Sequence, residues 1–420
     1  MRLVPAVWLS VLLMVPSLLF AAPITLLHSW QSPSELKALT VLENALNKKN
    51  LEPTYQLPKP EDLADAASIK ALASSLTQSP TFLALSNETL RHWYDLRLVH
   101  SLSPLAEAQG WADIFPATVL NAVTHRGQII AAPMSVHTSN WIWANKQLID
   151  ATGLTLDNDW DNFVAILAAL KAADLIPIAH DGSDTQDLLM FETIYLSMYG
   201  APAYTLLFDE LNPTALRKAE PDFEAVFDRL ATLKPYINRL PAGALWHEPA
   251  QQLMDGLAGI VIQGDWVHGE FARKGRIANQ HYYCAEFPGP FQTVALKVES
   301  IASLNSTSLP LATDQTTFFE TITNKDVQFL FNNYKGGLPA HRDTGLEAVS
   351  ECLTFAVQRT NTAIENNALV LSLSQGMAVR DVIKNEISAV IHEYMINDMS
   401  SVEAANQLQK RMKYASYLIN

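Results

Sequence analysis

Leu253–Phe271 reads LMDGLAGIVIQGDWVHGEF. The end of an amphipathic helix (Leu253, Met254) passes through Gly256 into the apolar run Leu257–Ile262, which stops at Gly264-Asp265-Trp266. This helix–turn–strand unit delivers a carboxylate and an indole at the carboxyl end of a strand. In open α/β sheets, ligands sit at the carboxyl ends of strands. Glycine lets a backbone approach a ligand closely, an indole offers an apolar face with one donor, and a carboxylate accepts from two hydroxyls. The trio suits a small polyhydroxylated ligand. A glycine turn beside a buried Trp is the plainer alternative.

Outward from this stretch the chain alternates between sheet and helix. On its amino-terminal side, residues 145–255 read as mainly helical: Asp159 caps the helix WDNFVAILAALKAAD, and Asp181-Gly182-Ser183-Asp184 forms a polar turn before a helix from Leu188. Further back, QIIAAPMSVHTSNWIWAN (Gln128–Asn145) is β-rich, with Trp141 and Trp143 expected on one face. Near the start, strand Ile24–Leu27 ends in His28-Ser29-Trp30; Ser32 and Glu35 stand at capping-box spacing around Pro33, ahead of a leucine-striped helix. On the carboxyl side, YYCAEFPGP and TVALKVESIA read as two strands joined by a Pro-Gly turn. KGGLPAHRD (Lys335–Asp343) marks a bend, and the remainder is helical. Sheet resumes after a long helical excursion, so a distant segment is expected to complete the first lobe.

The chain has 420 residues, 49% hydrophobic and 17% charged, which suits two globular domains. MRLVPAVWLSVLLMVPSLLFAA has the order of a secretory signal peptide, one basic residue, an apolar run and a small pair, with cleavage expected near Ala21. The mature protein is therefore expected in the periplasm. A net charge of −14 argues against nucleic acid as a partner. Cys284 and Cys352 either form one disulfide or are two buried thiols. Phosphate-binding glycine loops, serine-hydrolase elbows, zincin motifs and C-x-x-C are absent, and the 11 histidines show no i, i+4 pair. Neither a cofactor nor a metal is expected.

Trp30, Trp141, Trp143 and Trp266 fall at strand ends or crossings, and with Glu35, Asp265, Glu299 and Lys335 they describe an aromatic, acidic cleft. A sugar ring stacks its CH face on indole, and its hydroxyls pair with carboxylate and ammonium groups. A glycosidase using Glu35 and Asp265 would present similar residues. It is the remote alternative, and no enzyme is expected.

The ordered segments HSWQSPSEL, DIFPATVLNAV, RGQIIAAPMSVHTSNWIWANKQLI, GLAGIVIQGDWVHGEF, EFPGP and KGGLPAHRD resemble the family 1 extracellular solute-binding proteins. Specifically, they are similar to the glucose- and mannose-type members that serve ABC sugar importers. The resemblance implies an α/β fold of two lobes, each an α/β sandwich, joined by hinge crossings and closing on a small-molecule ligand. The expected bounds are 1–22 for the signal peptide, 23–132 plus 268–335 for lobe 1, and 133–267 plus 336–420 for lobe 2. The implied ligand contacts are Trp30, Glu35, His137, Asn140, Asp265, Trp266, Glu299, Lys335 and Gln375.

The chain departs from the family pattern where Ser29 replaces an aromatic, Thr81, Ala84 and Ser86 replace polar contacts, Thr185 a Trp, Gln375 a His and His341 an Arg. Those changes argue against glucose itself. The implied partner of a monomeric binding protein is an ABC permease, or in the sensory alternative a membrane sensor kinase.

Overall fold

The computed structural model describes residues 22–419 apart from 60, 61, 63–65, 77, 78, 86, 305–310, 343 and 346–348. The expected signal peptide, save its last residue, and Ser86 therefore lie outside the described residues. In chain order the strands are β1 (Ala22–Leu27), β2 (Leu51–Gln56), β3 (Thr81–Leu83), a hairpin of β4 (Thr124–His125) and β5 (Gln128–Ile129), β6 (Ala132–Thr138), β7 (Trp141–Asn145) and β8 (Ile176–His180). After them come β9 (Ile237–Arg239), β10 (Ala258–Gln263), β11 (Tyr282–Glu286), β12 (Val294–Ser303), β13 (Leu338–Pro339) and β14 (Leu369–Leu371).

Two sheets organise two lobes. A seven-stranded sheet runs β13-β6-β12-β3-β1-β2, with β14 also paired to β12; a five-stranded sheet runs β11-β7-β10-β8-β9. Each is covered by helices, and each has its own apolar core. The helix Pro33–Asn47 buries Ala38, Leu39, Leu42 and Leu46 on the first sheet. The helix Trp160–Ala172, capped by Asp159, buries Phe163, Ile166, Leu167 and Leu170 on the second. The buried Leu, Ile and Phe side chains contribute roughly 1.5–3 kcal/mol each, enough to seat a helix whose own propensity is marginal.

The chain changes sheets at places other than the expected bounds. All of β6 pairs with β12 and β13 in the first sheet, so the first switch falls at Ser139-Asn140, beyond residue 132. β11 was expected in lobe 1, yet it pairs antiparallel with β7 over five residues of the second sheet. Its link to β12 is therefore a crossing between lobes, not a hairpin turn. β13 and β14, expected in lobe 2, pair with β6 and β12. The reason is physical: an alternating extended run states that a strand exists, and the partner it finds is decided by tertiary packing.

Cys284 on β11 and Cys352 at the start of helix Glu351–Glu365 form a disulfide, Cα atoms 6.0 Å apart. It holds that helix against the strand beside which Trp141 and Trp143 stack, their centroids 5.6 Å apart. Both indoles share a face as expected, but they are fully buried between sheet and helices and form no part of a cleft.

Candidate functional site

Polar side chains from both lobes converge where the sheets meet. β1 ends at Leu27, and the turn His28–Gln31 leads into helix Pro33–Asn47 through the expected capping box: Ser32 Oγ accepts from Glu35 N, and Glu35 Oε2 accepts from Ser32 N (2.9 Å) and Gln31 N (3.0 Å). Glu35 Oε1 accepts from Lys335 Nζ at 2.9 Å. Lys335 closes the helix Lys325–Lys335, which ends because Gly336 adopts φ 97°. Gly337 is required for another reason: a Cβ there would lie 2.4 Å from the His137 ring.

Glu299 stands at the centre. The antiparallel register sets Glu299 opposite Ser135 and Lys297 opposite His137, so period-2 alternation puts all four on one face of β12 and β6. Glu299 Oε1 accepts from Trp30 Nε1 at 3.1 Å and lies 3.5 Å from Lys297 Nζ. Its Oε2 is 3.5 Å from Lys335 Nζ and 3.7 Å from His137 Nε2. Lys335 lies over the Trp30 ring and Lys297 over that of Trp266, which meets His137 edge-on with centroids 6.0 Å apart. On its other side His137 Nδ1 donates to Asp265 Oδ1 at 2.7 Å. Asp265 Oδ2 accepts from Thr138 N (2.8 Å) and Thr138 Oγ1 (3.0 Å).

Acids and cations thus alternate through Glu35, Lys335, Glu299, His137 and Asp265, all but Glu299 almost completely buried. Burial pushes the Glu299 carboxyl up, but Lys335, Lys297 and His137 outweigh it and hold it well below the usual range. Glu35 is likewise held low: burial opposes ionisation, and the Lys335 ammonium with the Ser32 amide overcomes it. Burial lowers the His137 value, but Asp265 and then Glu299 raise it overall. Burial also lowers Lys335, and Glu299 and Glu35 more than compensate.

Linkage fixes the pH response. Carboxylates depressed in the folded state contribute stability that is complete above their unfolded value, about 4.5, and lost as pH falls through the folded values. The melting temperature is therefore expected to drop below about pH 4.5, and Glu35→Gln should flatten that acid limb in a thermal-melt series. An unchanged limb in the variant would show that Glu35 carries no such coupling. His137 acts oppositely: its contribution is complete below 6.5 and fades as pH rises through its raised value.

The structure brings seven of the nine expected residues into this cluster: Trp30, Glu35, His137, Asp265, Trp266, Glu299 and Lys335. Their roles divide. Glu35 and Asp265 each already accept three hydrogen bonds from protein donors, spread over both oxygens, which leaves them little to offer a ligand. Of the three carboxylates, Glu299 alone has an oxygen, the buried Oε2, that takes no hydrogen bond from the described residues, although Lys335 and His137 pair with it at 3.5 and 3.7 Å.

The remaining two lie elsewhere. Asn140 sits on the first sheet switch, where its amide bonds Thr293 O at 2.7 Å and Ala295 N at 3.2 Å across the second. Gln375 belongs to the turn after β14, its amide on Ser374 Oγ at 3.3 Å; that turn is held by the buried Glu192 through Leu373 N and Ser372 Oγ. Sequence reading missed Lys297, which period-2 spacing from Glu299 would have found. It also missed Arg359, whose place on a helix face carries no sequence signal. Among the described residues no group of three or more His, Cys, Asp or Glu is arranged to hold a metal ion.

Two α/β lobes with a charged, aromatic cluster at their junction, linked by the β6–β7 switch and the β11–β12 crossing, define a two-lobed binding protein. The profile of the bacterial extracellular solute-binding proteins matches residues 31–281, and the chain belongs to that family. A probable sugar-binding periplasmic protein of Brucella melitensis is 28% identical over 387 residues, covering 92% of this chain and 90% of that one. Another of that description, from Rhizobium meliloti, is 27% identical over 390 residues, 92% and 93% of the two chains. Among solved structures, the solute receptor AcbH, described by its preference for β-D-galactopyranose, superposes with TM-score 0.75 at 14% identity over 95% of this chain and 99% of its own. A chitin oligosaccharide binding protein gives 0.74 at 17% identity, covering 94% and 99%. At these identities the structures establish the two-lobed periplasmic binding protein fold.

Proposed function

We propose that this protein works outside the cytoplasmic membrane as the solute receptor of an ABC importer, closing its two lobes on a neutral carbohydrate or similar polyhydroxylated molecule. The observation that carries this reading is Glu299: a carboxylate at the junction of the lobes, with one oxygen that takes no hydrogen bond from the described residues and with its partners Lys335 and Lys297 lying over the indoles of Trp30 and Trp266. The relatives named for sugar binding support it. Charge compensation supports a neutral ligand, because the three acids face Lys297, Lys335 and the His137 ring, whose proton affinity Asp265 and Glu299 raise.

A ligand that binds only the folded, closed form stabilises it by RT ln(1 + [L]/Kd), about 2.7 kcal/mol at a hundredfold excess over Kd. A thermal-shift panel of neutral sugars and polyols at millimolar concentration is expected to yield at least one that raises the melting temperature by several degrees, while sugar acids and amino sugars leave it unmoved. A panel in which no neutral sugar shifts the curve would sink this function.

A further inference from the structure

His28 is 3% exposed, at the carboxyl end of β1, and its ring stacks on Trp30 with centroids 5.3 Å apart and planes 22° from parallel. The backbone N–H of Trp30 donates to His28 Nδ1 at 3.1 Å. An imidazole nitrogen that accepts carries no proton, so in the neutral ring the proton resides on Nε2, which is then a donor. That Nε2 is buried and has no hydrogen-bond partner among the described residues. Burial keeps the ring neutral, against the pull of the nearby Glu35 and Glu299 carboxylates, with the Lys335 ammonium working in the same direction as burial. A buried donor without a partner is unfavourable, and a ligand acceptor would relieve it.

The same indole thus carries a free donor on one side and, through its Nε1, reaches the carboxylate with the free acceptor: His28 stacks on the Trp30 ring, and Glu299 Oε1 takes the indole N–H. Donor and acceptor flanking one aromatic ring match the needs of a hydroxylated ring, whose neighbouring oxygens each accept one hydrogen bond and donate another.

Resting on the receptor function proposed above, we infer that His28 is a ligand-binding residue, donating from Nε2 to a hydroxyl or ring oxygen of the sugar whose other hydroxyl donates to Glu299. Tyr55 also packs edge-on against His28, and its buried hydroxyl is likewise without a hydrogen-bond partner among the described residues. A hydrated His28–Tyr55 contact is the competing role.

Two substitutions separate the roles. His28→Asn retains an acceptor two residues before the Trp30 N–H, as in an Asx turn, and removes the Nε2 donor. His28→Gln places an amide donor near the Nε2 position. Affinities are measured by calorimetry with D-glucose, D-mannose, D-galactose and D-xylose as probes, with melting temperatures alongside. The expected result is that a probe bound by the unmodified protein binds His28→Asn about tenfold more weakly and His28→Gln within about threefold, with the two variants melting at similar temperatures. Binding that is the same in His28→Asn as in the unmodified protein overturns the assignment while leaving the receptor function standing. Weakened binding in both variants together with lowered melting temperatures also overturns it, in favour of a structural His28–Tyr55 contact. If none of the four probes binds the unmodified protein, the receptor reading falls for neutral monosaccharides, and the role of His28 falls with it.

Discussion

Glu299→Gln is expected to weaken binding of the cognate sugar by about 100-fold, close to 2.7 kcal/mol, the scale of one hydrogen bond to a charged group. The substitution keeps the shape of the side chain, so Trp30 Nε1 retains an acceptor at the position that now lies 3.1 Å away. What changes is charge. Lys297 and Lys335, each 3.5 Å from a Glu299 oxygen, and His137 at 3.7 Å would face an amide. The ligand hydroxyl would lose a charged acceptor and meet an excess of buried positive charge, which costs several kcal/mol if it is left uncompensated.

Glu35→Gln is the informative companion. Both Glu35 oxygens are already engaged, so its loss should register mainly in stability, through Lys335 and the helix cap, with little change in affinity. Calorimetric titration of both variants checks the distinction. Equal losses of affinity would mean that Glu35 contacts the ligand after all, and an unaltered Glu299→Gln would remove the centre of the site.

That contrast also marks what the sequence could reveal. Ser32-x-x-Glu35 was legible as a helix start, and the helix starts there. The same motif made Glu35 look like a cleft acid, and its cap is what withdraws the carboxylate from a ligand. Asp265 behaves similarly. As the acid after a glycine at a strand end it was conspicuous, but its own N–H donates to Thr138 O at 2.9 Å and its oxygens return to His137 and Thr138, stitching the end of β10 to the end of β6.

Local pattern announces a strand end without naming the donors that a distant strand will bring. β11 shows this most plainly: five residues of alternating character gave its existence, whereas its place beside β7 depends on a pairing more than 130 residues away. The two cysteines left disulfide and free thiols open for the same reason, since only the docking of helix Glu351–Glu365 on β11 brings them together.

The hinge supplies the largest expected loss of stability. Arg359 is almost completely buried on helix Glu351–Glu365, with Nε donating to Glu286 Oε1 at 2.7 Å and Nη2 to the carbonyls of Asn140 (3.2 Å) and Thr293 (3.3 Å). One carbonyl belongs to the β6–β7 switch and the other to the β11–β12 crossing, so a single guanidinium holds both strands of the hinge. Its plane also packs on Trp141, 5.2 Å from the ring centroid. Planar, forked donors suit this task and a lysine ammonium does not, so Arg359→Lys is expected to recover only part of the function.

Arg359→Met fills a similar volume but takes the donor from a largely buried carboxylate and from the Asn140 carbonyl, while Thr293 O keeps only the Asn140 amide. It is expected to lower the unfolding free energy by about 3–5 kcal/mol in urea denaturation. Adding Glu286→Gln should return a large share of the loss, because the cost of a broken buried pair lies chiefly in the charge left behind. The closed form has the most to lose, since it requires both crossings in one register; Arg359→Met should therefore also weaken sugar binding, although Arg359 belongs to no part of the Glu299 cluster. A loss below about 1 kcal/mol, or a double variant no more stable than Arg359→Met alone, would show that the hinge is held by Asn140 and the backbone without need of the guanidinium.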